Sequence, residues 1–258
     1  MIIAEEMSGT NAAHSGSVYV YGVVRSGTLR SIDAEGIGGA EVELIERDDL
    51  AALVSAVPAT KPRISRRDLH RHLGVIEAAF AQTTVLPCPF GTVATSATEL
   101  EDGLLGAASP NLLAGIERLN GCVQMNVKAA YDEDTLLREI VSADPTIAGL
   151  RERTRGAGNA GYYERLQLGE LVAARVAERR TLDAERLLDN LLPLAVDAVV
   201  DEPDEGCALK ASFLVDRKRL PRFDAGLESL SRREQPLLVF EAIGPLPPTA
   251  FAAAYAST

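Results

Sequence analysis

Apolar and polar residues alternate over several short stretches in the first part of the chain, and this pattern predicts β-strands. The run Val18–Val24 is β-branched and aromatic, with Ser-Gly on both sides, so it predicts a first strand. Glu41–Glu46 alternates polar and apolar residues and predicts a second strand that buries one face. Leu50–Val57 predicts a third strand of the same sheet.

From Ser65 the apolar residues recur at intervals of three and four, which is the spacing of an amphipathic helix. The predicted apolar stripe consists of Leu69, Leu73, Ile76 and Phe80. Ser65, followed three residues later by Asp68, predicts the N-terminal cap of this helix. A second helix is predicted from about Ala97 to Asn120. Both helices are expected to cover the sheet.

Between these helices lies Val85–Val93, an apolar stretch that contains Pro87 and Pro89. Proline cannot donate a ladder hydrogen bond, so the stretch predicts an edge strand or a crossing between layers. A rigid apolar edge of this kind could dock a hydrophobic partner, although plain core packing explains it as well. The candidate partner-binding residues here are Pro87, Pro89, Phe90 and Gly91.

A second alternating pattern begins at Cys122 and predicts a strand to Tyr131, with Val123, Met125, Val127, Ala129 and Tyr131 towards a core. A helix from about Glu133 to Arg155, interrupted at Pro145, is predicted next. A long helical stretch spans Tyr162–Val200, with Leu168, Leu171, Val172 and Val176 as its first apolar stripe. The two helical stretches predict an arm over about residues 133–200.

The last third of the chain predicts strand, helix and strand. Ala208–Val215 alternates, Leu220–Leu230 has helical spacing, and Leu237–Ile243 predicts a buried apolar strand that ends at Gly244. With the strand from Cys122, this order resembles a ferredoxin-like βαββαβ plan whose first helix is expanded and in which one strand is not visible.

The predicted fold class is therefore α+β with two domains. Residues 1–16 predict a disordered leader and 17–120 an N-terminal α+β sheet domain. Residues 121–244 predict a C-terminal modified ferredoxin-like domain that carries the long helical insertion, and residues 245–258 a C-terminal tail.

Composition narrows the class of partner. The chain of 258 residues has 26 basic and 37 acidic side chains, a net charge of −11 at pH 7. Such a chain repels phosphates, which argues against nucleic acid and anionic lipid as partners. The three cysteines show no paired spacing, and no apolar run reaches the length of a membrane span. We expect a soluble cytoplasmic protein.

Few motifs point to catalysis. Gly156–Gly161 matches the G-x-G-x-x-G pattern, but the charged segment before it is not a buried strand, so a helix cap and turn is the preferred interpretation. His70 and His72 are two positions apart and cannot face one metal, and we expect His72 to lie near Asp68 on a solvated face. The acidic run Asp201–Glu205 is interpreted as a solvated loop. No catalytic, cofactor or metal residue is assigned.

Taken in order, several segments resemble the gas vesicle protein F/L family from Tyr19 to Phe251. The N-terminal segments that carry the resemblance are Y-V-Y-G-V-V at Tyr19–Val24, L-V-S-A-V-P at Leu53–Pro58 and V-L-P-C-P-F-G-T-V at Val85–Val93, with His72 before the last. In the C-terminal part they are Val127–Asp132, Tyr162–Val172 and Ser212–Asp216. The family ending G-P-W-P-P-Y-S-F reads Gly244–Phe251 here and departs at three positions, which removes the Trp and Tyr rings. Phe251 keeps its ring and joins the candidate partner-binding residues.

The resemblance implies a two-domain α+β protein that acts as a non-enzymatic accessory or minor structural component. The implied partners are the hydrophobic major shell protein and other accessory proteins of the gas vesicle. The implied location is the cytoplasm and the gas vesicle, on the gas-facing side of its shell. Two alternatives stay open: a small-molecule-binding or enzymatic domain with an anion site near Gly156–Gly161, and a scaffold whose partner is unrelated to gas vesicles.

Overall fold

A computed structural model describes residues 16–57, 65–155 and 161–256. Residues 1–15 of the leader predicted at 1–16, and the glycine-rich residues 156–160, lie outside these ranges. The chain divides into two compact units. The first contains the residues up to Asn120 and those from Pro247 onward, and the second is Gly121–Leu246. The chain therefore returns to the first unit at Pro247.

The first unit contains a sheet and covering helices. Its strands are β1 (Val18–Arg25), β2 (Glu43–Arg47), β3 (Leu50–Ala56), β4 (Leu86–Pro87) and β5 (Val93–Ala94). Its helices are α1 (Arg66–Phe80), α2 (Ala97–Glu99), a π-helix at Leu100–Ala107, α3 (Ser109–Leu119) and, after the return of the chain, α8 (Ala253–Ala256). The second predicted helix, from Ala97 to Asn120, is thus divided into three helical segments.

The second unit begins with a strand and continues through a helical layer. Its strands are β6 (Cys122–Tyr131), β7 (Asp197–Val200), β8 (Cys207–Asp216) and β9 (Leu238–Leu246). Its helices are α4 (Glu133–Ala143), α5 (Pro145–Thr154), α6 (Tyr162–Leu191) and α7 (Leu220–Glu234). Asp132 caps α4 by accepting from Thr135 N, and Asp144 caps α5, which begins at Pro145.

Strand β1 is central in the first sheet, whose order is β2-β3-β1-β4 with β5 also paired to β1. All of these pairings are antiparallel. The register of β1 on β3 shifts between Val20 and Gly22, opposite the place where β4 approaches. A Cβ on Gly22 would lie 2.9 Å from the carbonyl oxygen of Leu86, so only glycine fits at this bulge.

Helix α1 begins as predicted, since the Ser65 side chain accepts from Asp68 N at 3.2 Å. The predicted buried stripe is partly wrong. Ile76 is buried, but Leu69 and Leu73 are 42% and 36% exposed. The remaining buried residues of the helix are His72, Val75 and Ala79. The buried face of α1 is therefore rotated from the predicted stripe, and it includes His72, which packs among aromatic rings of the core.

The second sheet has the order β7-β8-β6-β9 and is antiparallel throughout. With the element order β6, α4–α6, β7, β8, α7, β9, this is the ferredoxin-like plan that the sequence predicts. The strand that the sequence does not reveal is β7. Helices were predicted up to Val200, but α6 ends at Leu191 and Asp197–Val200 pairs with β8. Pro193 and the β-branched residues that follow favour this change of structure.

The last strand also departs from the prediction. Only Leu238 of β9 is fully buried, whereas Val239 is 57% exposed and Ile243 63% exposed. Strand β9 lies at the edge of its sheet, so one of its sides has no neighbouring strand among the described residues. An apolar run predicts burial in general, but an edge strand with an open outer face leaves apolar side chains in solvent.

Helix α6 is tied to the sheet of the second unit through a buried carboxylate. Asp183, 3% exposed, accepts hydrogen bonds from Tyr131 Oη at 2.9 Å, Arg179 Nε at 2.8 Å and an Arg186 guanidinium nitrogen at 2.8 Å. Burial raises the pKa of Tyr131, and the neighbouring Asp183 carboxylate raises it further. The Tyr131 hydroxyl therefore stays protonated and donates to the carboxylate.

Candidate partner-binding surfaces

The apolar segment around Pro87 forms the edge of the first sheet beyond β1. Strand β4 pairs with Gly22 and Val23, and Cys88 N donates to Tyr21 O at 2.9 Å. The chain then turns outward and returns as β5, with Val20 N donating to Thr92 O at 3.0 Å. The residues between form a short loop, Pro89–Gly91, which lies outside the strand pairing.

Phe90 in this loop packs against aromatic rings of the first unit. Its ring centroid lies 5.4 Å from that of His72, in an edge arrangement, and 6.4 Å from that of Tyr19. Tyr21 stacks on His72, with ring centroids 5.7 Å apart. Such ring pairs stabilise a core beyond the area that they bury. Phe90 is half-buried and therefore anchors the loop instead of projecting from it.

The hydrogen bonds of this cluster define the state of His72. Tyr19 Oη accepts from Gly91 N at 2.8 Å and lies 3.1 Å from Nδ1 of His72. The His72 ring also hydrogen-bonds the Cys88 backbone, which favours the tautomer in which Nδ1 accepts the Tyr19 proton. Burial lowers the pKa of His72 to about 4, against a smaller opposing effect of its hydrogen bond with the Cys88 backbone. His72 is thus neutral at pH 7, and it connects α1 to the loop.

This position corrects the prediction that His72 lies near Asp68 on a solvated face: His72 is 2% exposed. A histidine two positions from His70 gives no periodic signal for burial. The signal that could have found it is the pair of tyrosines in β1, since Tyr19 and Tyr21 point to the same face and need polar partners inside the core.

The predicted partner-binding residues divide by exposure. Pro87 is buried in β4, and Phe251 is 9% exposed. Phe90 is half-buried, and Pro89 and Gly91 are exposed. The structure therefore brings Pro87, Pro89, Phe90 and Gly91 together in one edge segment, but only the tip of the Pro89–Gly91 loop presents a surface.

A second surface, which the sequence reasoning missed, is the outer side of β9. Val239 pairs with Ala130 and Ile243 with Asn126, on the sheet face opposite the core residues Val127 and Phe213. Glu241 lies between the two apolar residues and opposite Lys128. The sequence signal for this surface was that apolar residues occupy both alternating sets of the strand. Val239 and Ile243 lie in the set that contains Glu241, and Phe240 and Ala242 form the other set.

The centre of this outer face is polar. Asn126 accepts hydrogen bonds from Ser212 Oγ at 3.0 Å and from the Gln124 side chain at 2.8 Å. Lys210 lies 3.2 Å from the carboxylate of Asp204 and Lys128 lies 3.6 Å from it. These groups satisfy one another. The exposed apolar area of the outer face lies at its edges, on β9 and at Val199 of β7.

The three cysteines are buried and none of them forms a disulfide bond, and burial raises the pKa of Cys88 to about 12. Within residues 16–57, 65–155 and 161–256, no group of three or more histidine, cysteine or carboxylate side chains could hold a metal ion. Among the same residues, no helix is long and apolar enough to cross a membrane. The anion site considered at Gly156–Gly161 lies, except for Gly161, outside the described residues.

These features define a class: an α+β protein with one mixed sheet-and-helix unit, one ferredoxin-like unit, and exposed apolar sheet edges. A family model described as gas vesicle synthesis protein GvpL/GvpF matches residues 17–253. Gas vesicle protein F of Streptomyces sp. (strain CB03234) is 37% identical over 243 residues, which cover 91% of this chain and 99% of that protein. The chain belongs to the GvpL/GvpF family of gas vesicle proteins, as its sequence motifs indicate.

Two solved structures have the same fold. The crystal structure of GvpF from Anabaena sp. PCC7120 superposes with a TM-score of 0.80 at 23% identity, covering 92% of this chain and 98% of that chain. The structure of GvpF from Microcystis aeruginosa gives a TM-score of 0.71 at 22% identity, with 92% and 99% covered. At this level of identity the likeness establishes the α+β architecture.

Proposed function

We propose that this chain is a non-enzymatic accessory protein that binds the hydrophobic major shell protein of the gas vesicle. In this role it keeps the shell protein from aggregating and assists nucleation or assembly of the shell, together with other accessory proteins. We place it in the cytoplasm and, after assembly, on the gas-facing side of the shell. Membership of the gas vesicle family supports the general role.

The observation that carries the proposal is the exposed edge strand β9. Its outer edge has no neighbouring strand among the described residues, and Val239 and Ile243 are more than half exposed. A free sheet edge with apolar side chains binds an extended apolar segment through main-chain hydrogen bonds and side-chain burial. A net charge of −11 keeps the accessory protein itself dispersed.

The Pro89–Gly91 loop is the second proposed contact. The loop connects β4 and β5 at the edge of the first sheet, and the contact of Phe90 with His72 holds its exposed tip in place. A rigid loop loses little conformational entropy on binding. The two contacts lie on different units and are tested separately.

The test is co-purification of the major shell protein after co-expression with this chain. Ile243→Lys with Val239→Lys places charges on the outer side of β9, and Leu182→Lys, an equally exposed apolar position on α6, is the matched control. We expect saturable capture by the native chain and the control, and a loss of at least about tenfold in the β9 variant.

A Pro89→Asp variant examines the loop without removing the Phe90 ring from its cluster. Loss of capture in this variant alone would move the contact to the first unit and keep the function. If the native, folded chain captures no shell protein, the proposed function is wrong.

A further inference from the structure

A pocket in the second unit lies where the end of strand β6 meets the helical layer. It has a volume of about 370 Å³ and is lined by residues of β6, α4, α6 and the turn before β8. A water molecule takes about 30 Å³ of the liquid, and pockets that hold ligands begin at about 300 Å³. The pocket is therefore at the small end of this range and has room for a short piece of a peptide chain.

Arg180 of α6 brings an unsatisfied hydrogen-bond donor to this pocket. Its Nε is buried and has no acceptor, and among the described residues it is the one buried side-chain nitrogen or oxygen in this condition. In the same part of the chain, the Arg180 guanidinium forms no ion pair with a carboxylate. A buried N–H that lacks an acceptor destabilises a fold, so such a group calls for an acceptor from outside the chain.

The other donors around this part of α6 have a common acceptor. Arg179 and Arg186 each lie 2.8 Å from the carboxylate of Asp183. Tyr131, which lines the pocket, donates to the same carboxylate at 2.9 Å. Asp183 thus accepts from three side chains, and the Nε of Arg180 is not among its donors.

The floor of the pocket is apolar, whereas its rim is acidic. Leu136 is 5% exposed, and Leu137 and Val176 are half-buried. Glu133 and Glu205 line the same pocket and are exposed, so they lie on its solvent side. Within the described residues, neither of these two carboxylates forms an ion pair with a cation.

This distribution of charge defines the chemistry of the occupant. The buried donor requires a carbonyl or carboxylate oxygen. Because two carboxylates face one guanidinium, the pocket has a net negative charge that disfavours a free anion and favours a cation. A basic peptide supplies a neutral main-chain carbonyl for Arg180 and a cationic side chain for the rim. The aliphatic stem of lysine or arginine also suits an apolar wall.

We propose that this pocket binds an extended segment of a partner protein that carries lysine or arginine. Arg180 Nε donates to a main-chain carbonyl of the segment, and the basic side chains reach Glu133 and Glu205. The net charge of −11 adds long-range attraction for such a segment. The inference goes beyond shell-protein binding and uses a different surface from β9 and from the Pro89–Gly91 loop.

Fluorescence anisotropy with the full chain tests it. The probe is a labelled peptide of glycine, alanine and lysine that is blocked at both ends. In a second peptide every lysine is norleucine, and in a third every lysine is glutamate. We expect saturable binding of the lysine peptide that weakens with salt, and much weaker binding of the other two. No saturable binding of the lysine peptide, or equal binding of the glutamate peptide, would overturn the proposal.

Arg180→Met separates the pocket from the general attraction between a basic peptide and an acidic chain. Removal of a positive charge makes the chain more acidic, so general attraction alone would tighten the binding of the lysine peptide. We expect the opposite, a loss of about tenfold, because the peptide carbonyl loses its donor. Arg222→Met makes the same change of charge at an exposed position of α7 outside the pocket, and it should not weaken binding. Equal effects of the two variants would contradict the assignment.

The same variant distinguishes a binding role of Arg180 from a structural one. Methionine keeps an unbranched apolar stem but has no donor that needs an acceptor, so the Arg180→Met chain should be at least as stable as the native chain. Circular dichroism and thermal melting measure this. A clear fall in melting temperature would show that the donor already has a partner in the folded chain, and it would overturn the proposal.

Glu205→Gln examines the rim. It should weaken binding several-fold, whereas Glu202→Gln, which removes the same charge from the same acidic run but outside the pocket, should leave binding unchanged. Equal effects of these two variants would contradict the position of the site.

Acetate and inorganic phosphate serve as competitors, at an ionic strength matched with chloride. Displacement of the lysine peptide by either anion would replace the basic segment by a small anion as the occupant and so overturn the proposal. Because the assay contains no shell protein, its failure would leave the proposed function untouched.

Discussion

The hydroxyl of Tyr19 lies 3.1 Å from Nδ1 of His72, and this contact joins β1 to α1 across 53 positions of the chain. Because the same hydroxyl accepts from Gly91 N at 2.8 Å, one tyrosine fixes the helix and the Pro89–Gly91 loop together. Burial raises the pKa of Tyr19 to about 12, so the hydroxyl keeps its proton for the imidazole. The position of a proposed binding loop thus depends on a buried neutral histidine.

Stability should fall with acid because of His72. Its pKa is lowered from 6.5 to about 4, so the unfolded chain binds the proton more readily. The stabilisation that comes from keeping His72 neutral is complete above pH 6.5. It is lost as the pH falls from there towards 4, which lowers the free energy of unfolding by roughly 3 kcal/mol in all. Urea unfolding at neutral and mildly acidic pH measures this loss.

His72→Gln is the comparison for this measurement, because glutamine can hydrogen-bond both partners and does not titrate in this range. We expect the variant to be less stable than the native chain near neutral pH and to approach it in acid. An identical pH dependence of the two proteins would show that His72 does not titrate as described.

Truncation of Phe90 should destabilise the first unit. Its ring contacts His72 and Tyr19, so Phe90→Ala removes half-buried aromatic contacts and should cost about 1–3 kcal/mol. Val93→Ala, at a 48% exposed position in the same segment, is expected to change the free energy of unfolding by less than about 0.5 kcal/mol. Denaturant titration compares the two, and equal losses would argue against the anchoring role of the ring.

The glycine at the β1 bulge should not tolerate alanine. A Cβ on Gly22 would lie 2.9 Å from Leu86 O and 3.0 Å from Val85 Cγ1, so Gly22→Ala must displace β4. We expect a loss of about 1–3 kcal/mol. By contrast, Gly74→Ala on α1 meets no described atom within 4 Å and should stabilise the chain by about 0.5–1 kcal/mol. Thermal melting of both variants measures these opposite signs, and a neutral Gly22→Ala would contradict the close approach.

Loss of the Asp183 carboxylate should loosen α6 from its sheet. Asp183→Asn removes the charge that Arg179 and Arg186 share and turns an amide towards one of them. We expect the free energy of unfolding to fall by about 2–4 kcal/mol. The loss stays within this range because both arginines are partly exposed and keep other carboxylates nearby. Asp189→Asn, an exposed position on the same helix, should have little effect. Hydrogen exchange of the α6 amides measures the loosening of this helix. Equal protection in the Asp183→Asn and Asp189→Asn variants would contradict the role of Asp183.

Much of the fold was predictable because the relevant signals are local. The β-branched and aromatic run Val18–Val24 predicted β1, and the alternation in Cys122–Tyr131 predicted β6. The spacing after Ser65 and Leu220 predicted α1 and α7. Strand β7 was missed because Ala195–Val200 continues an apolar helical pattern. Its pairing with β8, which lies farther along the chain, determines the extended structure.

The candidate surfaces were less predictable, because they depend on contacts between residues that are distant in the chain. Proline and glycine predicted the edge segment Pro87–Gly91. The missing backbone N–H of proline and the positive φ of glycine affect only the few residues around them, so this signal is local. The sequence could not show that Phe90 turns inward to His72. Nor could it show that Glu133, Arg180 and Glu205, which lie on three separate segments, meet at one pocket.

The sequence by itself determined the family, the order of the helices and strands other than β7, and the acidic character of this protein, because motifs, periodicity and charge are properties of neighbouring residues. Only the tertiary structure decided that His72 is buried and that Val239 and Ile243 are exposed. Periodicity defines which side chains share a face. Whether that face meets a core or solvent depends on elements that are distant in the chain.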